Sequence, residues 1–181
     1  MLTNKVTVTV CDFPQESSIA SEAGVADFQD SYMLSSFEKE VEPLAVYLLM
    51  VNQTPTWVNS LLSVRNKMVR FVGLKDVGTL GGLKLEHYKN KESRVGMQLD
   101  IFTIAVSTPT EIILVLNDTH LDIKLSILIQ KENNKNSISM SSIVKFHNIW
   151  GRLYMFAITP FHKRIVKRLL QNVAKAFSDK S

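Results

Sequence analysis

The feature that most constrains the fold of this sequence is a change in hydrophobic period along its second half. Between residues 95 and 148, apolar side chains recur at every second position, which is the period of a half-buried β-strand. From residue 151 to residue 177 they recur every three to four positions, which is the period of an amphipathic helix. This order predicts a sheet with one apolar face and a long helix that packs on it.

Two turn-forming segments divide the sheet region. "STPT" separates residues 95–106 from residues 111–129, and "KENNKN" separates the latter from residues 137–148. Three strands joined by two short turns predict an antiparallel meander. The apolar faces of the last two strands must meet the same core, and this condition favours a register that places Leu121 opposite Phe146.

The C-terminal helix is predicted over residues 151–177. Its apolar stripe is predicted to contain Ile158, Phe161, Ile165, Leu169 and Val173. Its solvent-exposed side is predicted to carry Lys163, Arg164, Lys167, Arg168 and Lys175. Pro160 removes one backbone hydrogen bond within the helix, so a kink is expected there.

The first half of the chain is less regular. Residues 27–34 are predicted as a first strand, and Pro43 is predicted to lie in the first turn of a helix, where its missing N–H costs nothing. A second helix is expected from Thr54 to Gly73. The glycine-containing stretch 73–94 that follows is long for a connection in a compact domain, so it is a candidate lid.

These elements together predict an α+β fold, in which an antiparallel sheet packs on a long C-terminal helix. The order matches the helix-grip architecture of START and polyketide-cyclase-like proteins. Residues 1–24 are expected to be a partly irregular N-terminal extension, and residues 25–181 a single domain.

Composition excludes several classes of protein. The single cysteine, Cys11, excludes an intramolecular disulfide and a cysteine-based zinc cluster. The longest apolar run, "LAVYLLMV", has eight residues, whereas a membrane span needs about 20. No signal peptide is visible, so a cytoplasmic protein is expected. We find no phosphate-binding or dinucleotide-binding glycine motif, and we expect no cofactor and no dedicated metal site.

Positive charge is concentrated late in the sequence. Residues 1–60 carry eight acidic and two basic side chains, whereas residues 61–181 carry nine acidic and 19 basic ones. Such asymmetry is typical of proteins that bind nucleic acids or anionic surfaces. Here most of it is explained by the solvated face of the C-terminal helix, so no nucleic acid partner is expected.

The segment "LNDTHLDIKLSI" places Asp118, His120 and Asp122 at alternate positions, which in a strand would point to one face. In the favoured register His147 lies opposite His120. Histidines flanked by carboxylates can form an acid–base pair or bind a divalent metal. The alternative is a solvated outer sheet face, which Lys124, Ser126, Ser139 and Ser141 would share. These three interpretations remain open, and the solvated face is the preferred one.

A second group of candidate residues lies on the predicted helix side of the sheet. Arg152, Tyr154 and His162 come from the C-terminal helix, and Trp57 from the second helix. These four are candidate ligand-binding residues. The structural alternatives are a core histidine bonded to a carbonyl freed near Pro160, an ion pair of Arg152 with a carboxylate such as Asp100 or Asp118, and ordinary core packing of Trp57 and Tyr47.

Three segments together resemble a known family. "PTWVNSLLSVRNKMVRFVGL", "NDTHLDIKLSI" and "FHNIWGRLYMFAITPFHKRIVKRLL" are similar, in order and spacing, to the bacterial family of domain of unknown function 2867. The resemblance covers about residues 25–175 and marks Asp118, His120, Asp122, His147, Arg152 and His162 as motif positions without assigning their roles. In some relatives a similar domain follows a dehydrogenase-like domain, and no cofactor role of that domain is carried over.

Three functional hypotheses follow. The first is a protein that binds a small apolar or amphipathic molecule in a cavity between the sheet and the C-terminal helix. The second is an enzyme that uses Asp118, His120, Asp122 and His147 for acid–base chemistry. The third is an interaction module that docks through its basic C-terminal helix. The sequence does not decide whether the chain is an enzyme, and it does not give the oligomeric state.

Overall fold

The computed structural model describes residues 7–37, 40–53, 88, 94–132 and 135–178. Within them, seven strands form one antiparallel sheet in the order β1-β2-β7-β6-β5-β4-β3. The strands are β1 (Thr7–Val10), β2 (Phe28–Phe37), β3 (Gln98–Leu99), β4 (Phe102–Ser107), β5 (Glu111–Asn117), β6 (Leu121–Glu132) and β7 (Lys135–Phe146). The helices are α1 (Ala20–Ala23), α2 (Pro43–Asn52) and α3 (Ile149–Ser178). This is the predicted α+β arrangement of a sheet and a long C-terminal helix, and it is helix-grip-like.

The register of the last hairpin is as predicted. Leu121 pairs with Phe146, and the apolar positions of β6 and β7 therefore share one face. The prediction of a single strand over residues 111–129 is wrong, because the chain reverses at residues 118–120 and forms β5 and β6, which pair with each other. In this turn the Asp118 carboxylate accepts a hydrogen bond from the backbone N–H of His120, as turn-forming aspartates commonly do.

The inner face of the sheet, defined as the face that packs against α2 and α3, carries the main core. The core contains Tyr32, Leu34, Ile104, Ile112, Leu114, Leu125, Ile127, Ile138 and Met140 from the strands. Helix α2 begins at Pro43, as predicted, and buries most of its side chains there. Since both helices cover the same face, its apolar side chains are removed from water, which is the dominant favourable term in folding.

Helix α3 buries a somewhat different stripe from the predicted one. Leu169 and Val173 are buried as expected, together with Val166 and Leu170. Phe161, however, is 41% exposed, so its assignment to the buried stripe is wrong. It lies to the side of the row that contacts the sheet. The lysines and arginines that were predicted to face solvent are exposed.

The outer face of the sheet is covered by residues 11–26. Ile19 and Ala23 pack there against Ile113 and Ile143, and the Cys11 thiol lies 3.2 Å from the Ser31 hydroxyl. The prediction that Ser126, Ser139 and Ser141 face solvent is therefore wrong. All three are at most 1% exposed, and the N-terminal segment contacts Ser126 directly, since the Ser17 hydroxyl lies 3.3 Å from the Ser126 hydroxyl.

A buried carboxylate fixes this N-terminal segment to the sheet. Glu111 on β5 is 3% exposed and accepts hydrogen bonds from the hydroxyls of Ser17, at 2.6 Å, and Ser126, at 2.7 Å. The backbone N–H and the hydroxyl of Ser18 donate to the same carboxylate. Burial by itself would raise the pKa of the Glu111 carboxyl, but the hydroxyls of Ser17, Ser18 and Ser126 and the Ser18 N–H outweigh it and hold the pKa below its ordinary value.

Two of the predicted elements lie outside the described residues. These are the helix expected from Thr54 to Gly73 and, apart from Tyr88 and Arg94, the candidate lid over 73–94. In the described part of the chain, no helix combines the length and the apolar character needed to cross a bilayer.

Candidate functional site

A polar cluster lies within the apolar core of the inner face. Asp30 on β2 and Ser142 on β7 are direct cross-strand neighbours, and His162 reaches them from α3. The Ser142 hydroxyl donates to Oδ1 of Asp30, and Nε2 of His162 lies 3.2 Å from Oδ2. We call Asp30, Tyr32, Ser142 and His162 the inner-face cluster, because Tyr32 lies beside Asp30 and faces the same carboxylate.

The inner-face cluster lies between apolar groups. Phe28 is two residues before Asp30 on the same face of β2, and its ring meets the His162 ring edge-on with centroids 6.3 Å apart. On the other side, Tyr32 and Met140 belong to the main core. Charged and polar groups of this kind are seldom placed in a sheet–helix layer unless they are paired or have a function.

Burial and charge shape the chemistry of the inner-face cluster. The Asp30 side chain is 10% exposed, and that of His162 is 27% exposed. Burial alone would raise the pKa of the Asp30 carboxyl, but the His162 ring and the Ser142 and Tyr32 hydroxyls hold it below its ordinary value. Burial and the neighbouring carboxylate raise the pKa of Tyr32 to about 12. At neutral pH the site therefore presents a carboxylate beside a phenol, and the His162 ring faces that carboxylate.

The two atoms that face each other in the inner-face cluster lack hydrogen bonds. Oδ2 of Asp30 and Nε2 of His162 are buried and within ion-pair distance, but they are not aligned for a hydrogen bond. Neither atom has a hydrogen-bond partner in the described part of the chain. Buried polar atoms in native proteins are nearly always hydrogen-bonded, so this pair is suited to receive a polar group from a ligand.

The predicted Asp118–His120–Asp122–His147 group lies elsewhere, around the turn between β5 and β6. Because Asp118 and His120 are in that turn, they do not form a strand ladder with Asp122, and this prediction is wrong. His147 does meet the group: Nε2 of His147 lies 2.9 Å from Oδ2 of Asp122, and its backbone N–H donates to the His120 carbonyl. His120 contacts Asn148 instead, with Nδ1 and Oδ1 3.0 Å apart.

The Asp122–His147 pair is open to solvent. The side chain of His147 is 38% exposed and that of Asp122 is 36% exposed. No group of three or more histidine, cysteine, aspartate or glutamate side chains is placed to hold a metal ion within residues 7–37, 40–53, 88, 94–132 and 135–178. The pair is chemically a carboxylate-oriented imidazole, and it lies at the surface rather than in the core.

Helix α3 begins very close to this turn. A Cβ atom at Gly151 would lie well inside van der Waals contact of the His120 carbonyl oxygen, so only glycine fits there without a backbone shift. Asn148 supports the same junction, because its Oδ1 accepts the backbone N–H groups of Trp150 and Gly151. The helix is thereby fixed over the sheet, with His162 above Asp30.

The predicted ligand-binding residues have different positions. His162 belongs to the inner-face cluster and faces a carboxylate rather than a carbonyl freed by Pro160. Tyr154 is partly buried beside Leu121, Val144 and Met155. Arg152 is exposed and, among the described residues, pairs with neither Asp100 nor Asp118, so the predicted ion pair is wrong. Trp57 lies outside the described residues.

Sequence reasoning missed Asp30, Tyr32 and Ser142. A signal was present in both strands: Phe28, Asp30, Tyr32 and Leu34 alternate along β2, so Asp30 is an acid placed on an apolar face. Ser142 similarly interrupts the apolar row of β7. A polar residue at a core position of one strand opposite another in the next strand predicts a buried site.

Comparison with known proteins gives a family. A family model described as "Protein of unknown function (DUF2867)" matches residues 22–169. That range contains the whole inner-face cluster and the turn with the Asp122–His147 pair. A search of the curated proteins and a search of the solved structures found no match. The chain belongs to the DUF2867 family.

Proposed function

We propose that this chain binds a small amphipathic molecule between the sheet and α3, with the polar group of the ligand held by Asp30 and His162. The observation that carries the proposal is the pair of buried, facing atoms, Oδ2 of Asp30 and Nε2 of His162, that lack hydrogen bonds. Ligand sites of this kind are largely apolar with a few placed polar groups, and the inner face has that composition.

A hydroxyl is the ligand group that fits this pair best. It donates one hydrogen bond to the Asp30 carboxylate and accepts one from an Nε2–H of His162, so both atoms are satisfied at once. A ligand carboxylate would instead meet the negative charge of Asp30. The apolar body of the ligand would lie along the core side chains around Phe28 and Met140. We therefore favour a hydroxyl-bearing apolar molecule over a fatty acid.

Native mass spectrometry tests this proposal. The protein as purified is compared with its denatured form, and the same comparison is made for Asp30→Leu/His162→Leu. An added mass that is present in the wild type, lost on denaturation and absent from the double variant supports the proposal. The same added mass in both proteins contradicts it. If the wild type carries no added mass, the wild type and the double variant are instead titrated with a long-chain alcohol. The proposal is contradicted if the wild type does not bind the alcohol at the alcohol's solubility limit.

A second candidate function is supported by the Asp122–His147 pair. A carboxylate that orients an imidazole at 2.9 Å is an arrangement used in acid–base catalysis. On this alternative, a ligand protects His147 from chemical modification, and His147→Ala abolishes turnover. On the binding proposal, His120→Ala and His147→Ala leave ligand affinity unchanged. The two proposals are thus separated by one pair of variants.

A further inference from the structure

The surface of α3 that faces away from the sheet changes character along the helix. Its first half exposes large apolar side chains, and Phe156 is 84% exposed, Leu153 51% and Trp150 50%. The exposed apolar side chains of this half are Ile149, Trp150, Leu153, Phe156 and Phe161. Scattered exposed apolar residues are normal on proteins, but a contiguous group of this size on one helix marks an interaction surface.

The second half of the same helix is cationic. Its exposed basic side chains are Lys163, Arg164, Lys167, Arg168 and Lys175. The whole of α3 contains no aspartate or glutamate. The basic side chains therefore have no acidic neighbours on their own helix, and an external partner for this half must be anionic.

The two halves lie end to end on one side of the helix. Residues eighteen positions apart point in the same direction, because five turns of 3.6 residues separate them. The buried side contains Met155 and, eighteen residues later, Val173. The exposed side contains Trp150 and, eighteen residues later, Arg168. The apolar and cationic halves thus form one continuous outward strip, which we call the α3 strip.

We propose that the α3 strip docks on the surface of an anionic phospholipid bilayer. The exposed Trp, Phe, Leu and Ile side chains of the first half enter the boundary between headgroups and acyl chains, where aromatic side chains are favoured. The lysines and arginines of the second half lie over the anionic headgroups. The chain stays peripheral in this arrangement, and the proposal does not depend on the ligand proposed above.

Charge complementarity favours this occupant over two others. In an antiparallel pair of α3 strips, the cationic half of each would cover the apolar half of the other and leave its charges without partners. In a parallel pair, like charges would face each other. A nucleic acid would neutralise the cationic half but offers no apolar counterpart for Ile149 and Leu153. A bilayer with anionic lipids matches both halves.

Co-sedimentation with vesicles tests the proposal. The full chain is mixed with vesicles of phosphatidylcholine containing about 30 mol% phosphatidylserine, and separately with pure phosphatidylcholine vesicles. We expect binding to the anionic vesicles that is at least about tenfold tighter than to the neutral ones and that weakens with added salt.

Two variants and their matched controls resolve the roles of the two halves. Leu153→Ser/Phe156→Ser removes apolar surface from the strip, and Val25→Ser removes an 81% exposed apolar side chain elsewhere. Lys167→Glu/Arg168→Glu reverses charge on the strip, and Lys135→Glu/Lys145→Glu reverses two exposed charges on β7. We expect each strip variant to lose about tenfold in vesicle affinity and each control less than about twofold. Because all of these side chains are exposed, the fold is retained, which circular dichroism verifies.

Three results would overturn the proposal. The first is no sedimentation with either vesicle. The second is equal binding to neutral and anionic vesicles. The third is a Leu153→Ser/Phe156→Ser variant that binds as tightly as the wild type, since this would show that the apolar half of the strip does not contribute to membrane binding.

Discussion

Both faces of the sheet bury a carboxylate, and the two carboxylates differ in their hydrogen bonds. On the outer face, Glu111 is surrounded by hydroxyl and N–H donors from Ser17, Ser18 and Ser126. On the inner face, Oδ2 of Asp30 faces His162 without a hydrogen bond. A carboxylate whose bonds are complete serves structure, because nothing remains for a ligand to supply. An incomplete one costs stability, and proteins retain such costs mainly at functional sites.

The largest expected effect is on the outer face. Glu111→Leu removes the acceptor of several buried donors and releases residues 11–26 from the sheet. We expect a loss of about 3 kcal/mol in the free energy of unfolding, measured by urea denaturation. The control is Glu22→Gln, which breaks a partly exposed ion pair with Lys124 and should cost under about 1 kcal/mol. Equal losses in the two variants would mean that the buried Glu111 contributes no more to stability than a partly exposed ion pair of the same segment.

The pH dependence of the free energy of unfolding tests the same two carboxylates. The pKa values of Glu111 and Asp30 are lower in the folded chain than their ordinary values. In each case the ionised carboxylate stabilises the fold relative to its protonated form. This difference is complete above about pH 5 and is lost as pH falls through the ordinary pKa and then the folded one. We expect Glu111→Gln and Asp30→Asn each to flatten the decline in the free energy of unfolding as pH falls below about 5. An unchanged slope in both would contradict the assigned roles.

On the inner face, replacing the polar pair should cost little stability. Asp30→Leu/Ser142→Ala/His162→Leu exchanges the buried polar pair, and the hydroxyl that donates to Asp30, for apolar side chains in an apolar layer. We expect the free energy of unfolding to stay within about 1 kcal/mol of the wild type, while binding of a hydroxyl-bearing ligand is lost. A loss as large as that of Glu111→Leu would mean that Asp30 and His162 are structural.

The smallest effect is expected at the surface turn. His147→Ala removes a partner from an ion pair that is more than a third exposed, so the free energy of unfolding should change by less than about 1 kcal/mol. Ligand affinity, measured by calorimetry, should not change. A tenfold loss of affinity would indicate that the ligand binds at the turn and not on the inner face.

The sequence predicted the fold well where one periodicity dominated. Alternation along residues 121–129 and 138–146 was sufficient to predict the register of Leu121 with Phe146, because one apolar face must meet the core. The helical period predicted α3 and most of its exposed residues. The turn at Asp118 was not predicted from the sequence. The segment "NDTH" contains turn-forming residues, but it lies inside a longer stretch whose alternating apolar residues predict a strand.

The candidate site was predicted only in part. His162 was recognised from its position beside the apolar stripe of α3. Its partner Asp30 was not, since the two are far apart in sequence and meet only when β2 and α3 pack on each other. The covering of the outer face by residues 11–26 was missed for the same reason, because Glu111 and Ser17 are joined by tertiary structure alone.

The most direct test of the central claim is an NMR experiment on the histidine rings during titration with a long-chain alcohol. The chain has four histidines, so the ring signals of His162, His147 and His120 can be assigned by substitution. We predict that the alcohol shifts the signals of His162 and leaves those of His147 and His120 in place. Shifts at His147 or His120 with none at His162 would contradict a site between the sheet and α3.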